Sequence, residues 1–223
     1  LADQVKDLRA YPPPLTGDAF FTLIEDGRVM RHHDAVLHSN AYWTYFGKGC
    51  TGRCTYCSGG QWSGLYKAEG RKFYRRRNRD VGQVLDELAA LPPGVEVVIF
   101  ADEYWALPVH RTREFLQAYK ERVGLPFWAY FSYEQMVNNP DLLELALDAG
   151  LNSTGIGFQT GSAEFARAYY GRNPDYDLLV EYARRLFRNF VFINPQFILG
   201  NCYETLDDFR ETVRLVRRLP FSI

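Results

Sequence analysis

The chain has 223 residues, 26 basic and 27 acidic side chains, a formal net charge of -1, and 47% hydrophobic and 16% aromatic residues. So balanced a charge gives no broad field to draw nucleic acid or an anionic membrane, and no apolar run approaches the ~20 residues of a membrane span. With no signal-peptide pattern and ample apolar residues for a core, the composition describes one large domain with a short lead-in, expected in the cytoplasm.

Residues 1–38 show little periodicity and include Tyr11-Pro12-Pro13-Pro14-Leu15, a run that forbids helix and favours extended polyproline geometry. They read as a linker from a missing upstream domain. Inside it, residues 20–24, Asp26-Gly27 and residues 28–30 predict a small hairpin, because Asp-Gly between apolar runs is a turn signal. His32, His33 and His38 read as surface or packing histidines.

Residues 39–223 form the core domain. Residues 41–46 predict a first strand that runs into a cysteine-rich loop. A helix over 80–91 turns Val81, Val84, Leu85 and Leu88 to one face, and Pro92-Pro93-Gly94 separates it from a second strand over 95–100. Residues 126–131 predict a third strand. Asn139 as cap, Pro140 at the first helical position and Gly150 at the end then frame a helix. A fourth strand covers 154–158. A fifth covers 191–199 and places Pro195 at an edge or bend. The last helix starts near Thr205 with Asp208 as capping-box partner, and its pattern turns Leu206, Phe209, Val213 and Val216 inward. The start at Leu1 and a strand just beginning at residues 219–223 suggest an excised part of a longer protein. Strands alternating with amphipathic helices imply an α/β fold: a partial (β/α) TIM-like barrel of parallel strands, truncated at its C-terminal end, with functional loops at the carboxyl ends of its strands.

Three of the four cysteines fall in Gly47-Lys48-Gly49-Cys50-Thr51-Gly52-Arg53-Cys54-Thr55-Tyr56-Cys57-Ser58-Gly59-Gly60. A glycine-relieved C-x3-C-x2-C loop can aim three sulfurs at one point, as ligands of an iron-sulfur cluster must be aimed. Three thiolates on a 4Fe-4S cluster leave one iron open to another ligand. A structural zinc site would need a fourth Cys or His at compatible spacing. Disulfides within so short a loop would close strained rings. A plain ferredoxin would supply four thiolates.

The spacing, with Tyr56 just before the last cysteine, resembles the signature loop of radical S-adenosylmethionine (radical SAM) enzymes. That resemblance implies a 4Fe-4S cluster on Cys50, Cys54 and Cys57, with S-adenosylmethionine chelating the open iron and cleaved reductively to a 5'-deoxyadenosyl radical. It implies a low-potential electron donor of flavodoxin or ferredoxin type and a small-molecule or peptide substrate, with nucleic acid and membrane not expected. The resemblance runs over residues 41–219. The segment from Gly155 to Ser162, with Gln159 and Ser162, is similar to the family's fourth-strand approach to the ribose. Phe197-Ile198-Leu199-Gly200, with Glu204 following, is similar to the segment that borders the adenine. Where the family commonly has Gly-Gly-Glu for the methionyl amine, this chain has Ala101-Asp102-Glu103, and both acids are candidates. Glu204 otherwise reads as a first-turn helix charge.

The run from Arg71 to Arg79 carries six positive charges beside two aromatics. It reads as a solvated basic turn, or alternatively as an anion seat. Cys202 reads as a small buried hydrophobe. The proline-rich lead-in, Tyr74-Arg75-Arg76-Arg77 and Phe100-Ala101-Asp102-Glu103 together are most similar to the radical SAM subgroup in which a cobalamin-binding domain precedes the radical domain. This implies cobalamin as a further cofactor and methyl transfer as the reaction. No Asp-x-His-x-x-Gly corrinoid motif is present in these residues, so a missing part would hold the cobalamin. The alternatives are a methylthiotransferase or other cobalamin-independent radical enzyme, and a non-catalytic iron-sulfur protein.

Overall fold

In the computed structural model, which describes residues 4–11, 21–31, 39–105 and 107–220, strands β1 (Thr22–Glu25) and β2 (Arg28–Arg31) pair antiparallel. Asp26 and Gly27 between them both have positive φ, 48° and 74°, as a tight hairpin turn of this twist requires. The polyproline run and His32, His33 and His38 lie outside the described residues.

The chain then runs through β3 (Ala41–Thr44), β4 (Gly47–Lys48), α1 (Ser58–Ala68), β5 (Arg77–Asn78), α2 (Val81–Ala89), β6 (Val97–Phe100) and α3 (Val109–Arg122). It continues through β7 (Phe127–Ala129), α4 (Tyr133–Asn138), α5 (Pro140–Asp148), β8 (Leu151–Gln159), α6 (Ala163–Tyr170), α7 (Tyr176–Arg188), β9 (Phe192–Phe197) and α8 (Leu206–Val216). β3, β6, β7, β8 and β9 are neighbours in that order in one sheet, every pair parallel. Helical crossovers join them, so the carboxyl ends of all five share one rim. This is the expected α/β arrangement, part of a (β/α) barrel.

Local signals explain the elements. Asp80 caps α2 by accepting the N–H groups of Gly82 and Gln83, and Val81, Val84, Leu85 and Leu88 are buried. Pro140 opens α5, but the Asn139 side chain makes no cap bond; its amide reaches back to donate to Gln135 O at 2.9 Å. Pro195 sits in β9, last in the sheet order, where a missing N–H donor is tolerated. Beneath β3, β6 and β7 the rings of Phe46, Phe100, Trp105 and Phe115 pack together, with Phe46 4.5 Å from Phe115 and 5.3 Å from Phe100. Aromatic pairs at such separations add to the area they bury, and they fix the end of β3 from which the cysteine loop leaves.

α8 departs from the expected packing. Its capping box of Thr205 and Asp208 is present, yet Leu206, Phe209 and Val213 are exposed by 63%, 40% and 43%, and Thr212 and Leu215 are the buried residues. The buried side is set by a close approach at Gly161, where a Cβ would lie 2.4 Å from Glu211 O and 2.5 Å from Thr212 Cα. The helix backbone therefore meets the loop after β8, and Thr212 Oγ1 accepts the Gly161 N–H at 2.8 Å.

Candidate active site

The cysteine loop is held at both ends. On its entry arm β4 pairs antiparallel with β5, Gly47 opposite Asn78 and Lys48 opposite Arg77. Gly49 follows at φ 92°, and a Cβ there would lie 2.2 Å from Arg75 O, so only glycine fits. The acids after β6 bind the same arm. Asp102 accepts the N–H groups of Phe46 at 3.0 Å and Gly47 at 2.7 Å, and Glu103 accepts that of Gly49 at 3.1 Å. On the exit arm the Thr55 N–H donates to Tyr170 O at 3.3 Å, its hydroxyl donates to Tyr169 O, and the Tyr56 ring meets Tyr170 edge-on at 4.9 Å. Cys57 is the N-cap of α1, which sets the positive end of the helix dipole beside the last sulfur.

The three thiols are free and open into one cavity of about 830 Å³. A Cβ on Gly52 would lie 3.2 Å from Cys50 Sγ and 3.8 Å from Cys54 Sγ, and the Gly52 N–H donates to Cys50 Sγ at 3.2 Å. Among the described residues no three His, Cys, Asp or Glu side chains are grouped as for a single metal ion. Three sulfurs that open into one cavity, one of them accepting a backbone N–H, suit the ligand set of an iron-sulfur cluster, whose sulfurs accept N–H bonds.

Tyr56, Glu103 and Gln159 line this cavity with the cysteines. Gln159 takes a positive φ of 63°, and its side-chain oxygen accepts from Arg172, which also donates to Gly157 O at 3.0 Å. Burial and a hydrogen bond to Cys54 push the Tyr56 phenol up to about 12. The other four candidates lie elsewhere. Asp102 is only 3% exposed, and burial pushes its carboxyl up to about 6 despite its two N–H bonds. Ser162 caps α6, accepting the Phe165 N–H at 3.1 Å. Ile198 donates its N–H to Gln159 O at 2.8 Å, and Gly200, with φ 75°, donates to Glu204 Oε2 at 2.8 Å. Glu204 thus closes a turn ahead of α8 rather than lying in its first turn.

Arg172 and the tyrosines Tyr104 and Tyr130 also line the cavity and were not singled out from the sequence. Arg172 follows Gly171, the left-handed residue that ends α6, but no spacing separates it from a surface arginine. Burial opposes its charge, while Tyr56 and Cys54 nearby favour it, and the net effect strengthens its hold on the proton. Tyr130 lies across β8 where Gly155 lacks a side chain, since a Cβ there would sit 2.0 Å from the ring.

Two expectations are corrected here. The basic run is not a solvated turn: its Arg77 and Asn78 form β5 alongside the loop, and guanidiniums of the run reach structural acceptors. Arg75 donates to Thr51 O and Gly52 O, Arg76 to Trp105 O, and Arg77 to Val5 O. Arg79 makes a buried ion pair with Glu87 and also donates to Thr44 Oγ1 and Tyr45 O. Cys202 is exposed rather than buried, because the loop before α8 runs over the surface. No helix among the described residues is long and apolar enough to cross a membrane.

The chain is similar to several known proteins. Cytidylyl-2-hydroxyethylphosphonate methyltransferase of Streptomyces wedmorensis is 23% identical over 186 residues, covering 80% of this chain. The chain spans 33% of that relative's length. Among solved structures, the cobalamin-dependent S-adenosylmethionine radical enzyme OxsB, with aqua-cobalamin and S-adenosylmethionine bound, superposes with a TM-score of 0.63 at 16% identity, over 87% of this chain and 31% of that one. The radical S-adenosylmethionine methyltransferase TsrM from Kitasatospora setae, with tryptophan substrate and a SAM analogue bound, gives 0.65 at 16% identity, over 82% and 35%. The model of the Radical SAM superfamily matches residues 44–216, from the end of β3 through α8, and the chain belongs to that superfamily.

Proposed function

We propose that this chain is the core of a radical SAM enzyme that holds a 4Fe-4S cluster on Cys50, Cys54 and Cys57 and S-adenosylmethionine in the adjoining cavity. The observation that carries this reading is that the three thiols open into the same cavity as Glu103, Gln159 and Arg172. When bound and reduced, that pair of cofactors supplies cleavage of a carbon-sulfur bond to methionine and a 5'-deoxyadenosyl radical. The chain's own residues bind, orient and exclude water. The exposed Glu103 carboxylate suits an ammonium group, and the Arg172 fork suits a carboxylate. Gln159, with its oxygen held by Arg172, keeps its amide N–H groups for ribose hydroxyls. The backbone around Ile198 and Gly200, beyond β9 and outside the cavity lining, would flank the adenine as the family resemblance implies, and Tyr56 walls the cluster loop. Asp102 and Ser162 act one step back, Asp102 through the loop backbone and Ser162 through the start of α6.

The finer reading is cobalamin-assisted methyl transfer in the cytoplasm, fed by a low-potential flavodoxin- or ferredoxin-type donor, to a small molecule or peptide. Its support is the likeness to a curated methyltransferase and to cobalamin-dependent radical enzymes; the cobalamin would be held by a part beyond this chain. The test is anaerobic chromatography of nucleosides formed with a strong reductant, alongside a visible spectrum of full-length protein loaded with cobalamin. The reading expects 5'-deoxyadenosine and a bound corrinoid, with S-adenosylhomocysteine added once the substrate is supplied. A full-length protein that binds no corrinoid would remove the methyl-transfer reading and leave the radical SAM core.

A further inference from the structure

We propose that Arg76 sets the reduction potential of the cluster, acting as a fixed positive charge beside the Cys50 corner. The inference rests on the three-cysteine reading above. The β4–β5 register pairs Lys48 with Arg77, so one further step places Arg76 across from Gly49, next to Cys50. A Cβ on Gly49 would lie 3.7 Å from Arg76 N, so the two backbones are neighbours here, and Cys50 is among the groups whose charge reaches the guanidinium. The guanidinium is half-buried: Nη2 donates to Trp105 O at 3.4 Å, and the buried Nε–H has no partner among the described residues.

Burial weakens this group's hold on its proton, and Tyr104, Asp102 and Cys50 are the neighbours whose charges bear on it. A guanidinium stays charged even so. Asp102 is the opposing carboxylate, and its charge is engaged by the Phe46 and Gly47 N–H groups. The other arginines of the run are differently placed. Arg79 is neutralised by Glu87, Arg77 is bonded to Val5 O in the lead-in, and Arg75 reaches loop carbonyls in an exposed setting. A partly desolvated charge is screened less than an exposed one. A cation near a cluster favours the more electron-rich reduced form, and cluster potentials follow local charge and hydrogen bonding. Arg76 would therefore ease entry of the electron that the cluster must accept.

The test is a potentiometric titration of the anaerobically reconstituted full-length protein, with the reduced cluster followed by electron paramagnetic resonance. Wild type is compared with Arg76→Lys, two neutral variants, Arg76→Gln and Arg76→Met, and Arg77→Gln as a control for loss of one charge from the same run. The neutral variants are expected to keep their iron and to show about a tenfold lower ratio of reduced to oxidised cluster at a fixed solution potential, or about 59 mV for a one-electron couple. Arg76→Lys should shift less, and Arg77→Gln should stay near wild type. A neutral variant with full iron and wild-type potential would overturn the proposal, as would an equal shift in Arg77→Gln. Loss of the cluster from both neutral variants would assign Arg76 to holding the fold and also overturn it. A wild-type protein that binds no cluster defeats the underlying reading; an intact cluster with an unmoved potential defeats this inference alone.

Discussion

The carboxylate of Asp102 accepts the Gly47 N–H at 2.7 Å, holding the end of β6 to the entry of the cysteine loop. Its second oxygen takes the Phe46 N–H at 3.0 Å, whereas its neighbour Glu103 is exposed and lines the cavity. Two consecutive acids thus face different ways, Asp102 into the scaffold and Glu103 toward the cavity, where it also accepts the Gly49 N–H.

Asp102→Ala leaves two backbone N–H groups without acceptors, at a cost of roughly 1–3 kcal/mol each. Urea denaturation should show a loss of about 2–6 kcal/mol. Glu103→Gln should leave stability nearly unchanged and weaken S-adenosylmethionine binding about tenfold to a hundredfold by calorimetry. The opposite division, with Asp102 governing affinity and Glu103 governing stability, would contradict the assignment.

Because burial raises the Asp102 carboxyl from 3.8 to about 6, the folded chain keeps this proton at pH values where the unfolded chain has released it. The contribution is fully present below pH ~4 and is lost as pH rises through about 6, on the order of 3 kcal/mol in all. Asp102→Asn removes the titration. Denaturation midpoints of the apoprotein between pH 4 and 7 should therefore decline less with pH in Asp102→Asn than in wild type, and parallel slopes would refute this.

Arg79 and Glu87 form an ion pair with side chains only 8% and 5% exposed, tying the segment just after β5 to α2. Removing one partner strands a buried charge, so Arg79→Met or Glu87→Leu alone should destabilise the chain by about 3–5 kcal/mol. The double variant should recover much of that loss, since an apolar pair replaces an ionic one. A double variant as unstable as the sum of the two would show that the pair does not act as a unit.

Gly49→Ala places a methyl group 2.2 Å from Arg75 O at a positive φ, forcing the entry arm away from β5. Reduced iron uptake with helix content retained in circular dichroism is the expected result. Gly70→Ala serves as comparison: it also has positive φ, at 65°, but faces open space, and should keep its iron.

What was legible in the sequence was local. The cysteine spacing, the Asp26-Gly27 turn, the apolar face of α2, the Thr205–Asp208 capping box and the five strands each arise from residues a few positions apart, and each is present. What was hidden depends on partners distant in sequence. α8 packs through Thr212 because Gly161, 51 residues earlier, admits its backbone, so counting apolar residues on the helix chose the wrong face. Arg172 gains its place from Gln159 and Tyr56, which only the folded rim brings together. The basic run looked solvated because its acceptors are mostly backbone carbonyls, with Glu87 for Arg79, and neither is adjacent in sequence.

Iron content after anaerobic reconstitution tests the central claim most directly. Wild type should take up about four irons per chain, each of Cys50→Ala, Cys54→Ala and Cys57→Ala should lose the cluster, and Cys202→Ala, altered at an exposed thiol outside the cavity lining, should keep it. Unchanged iron in all three loop variants would contradict the account.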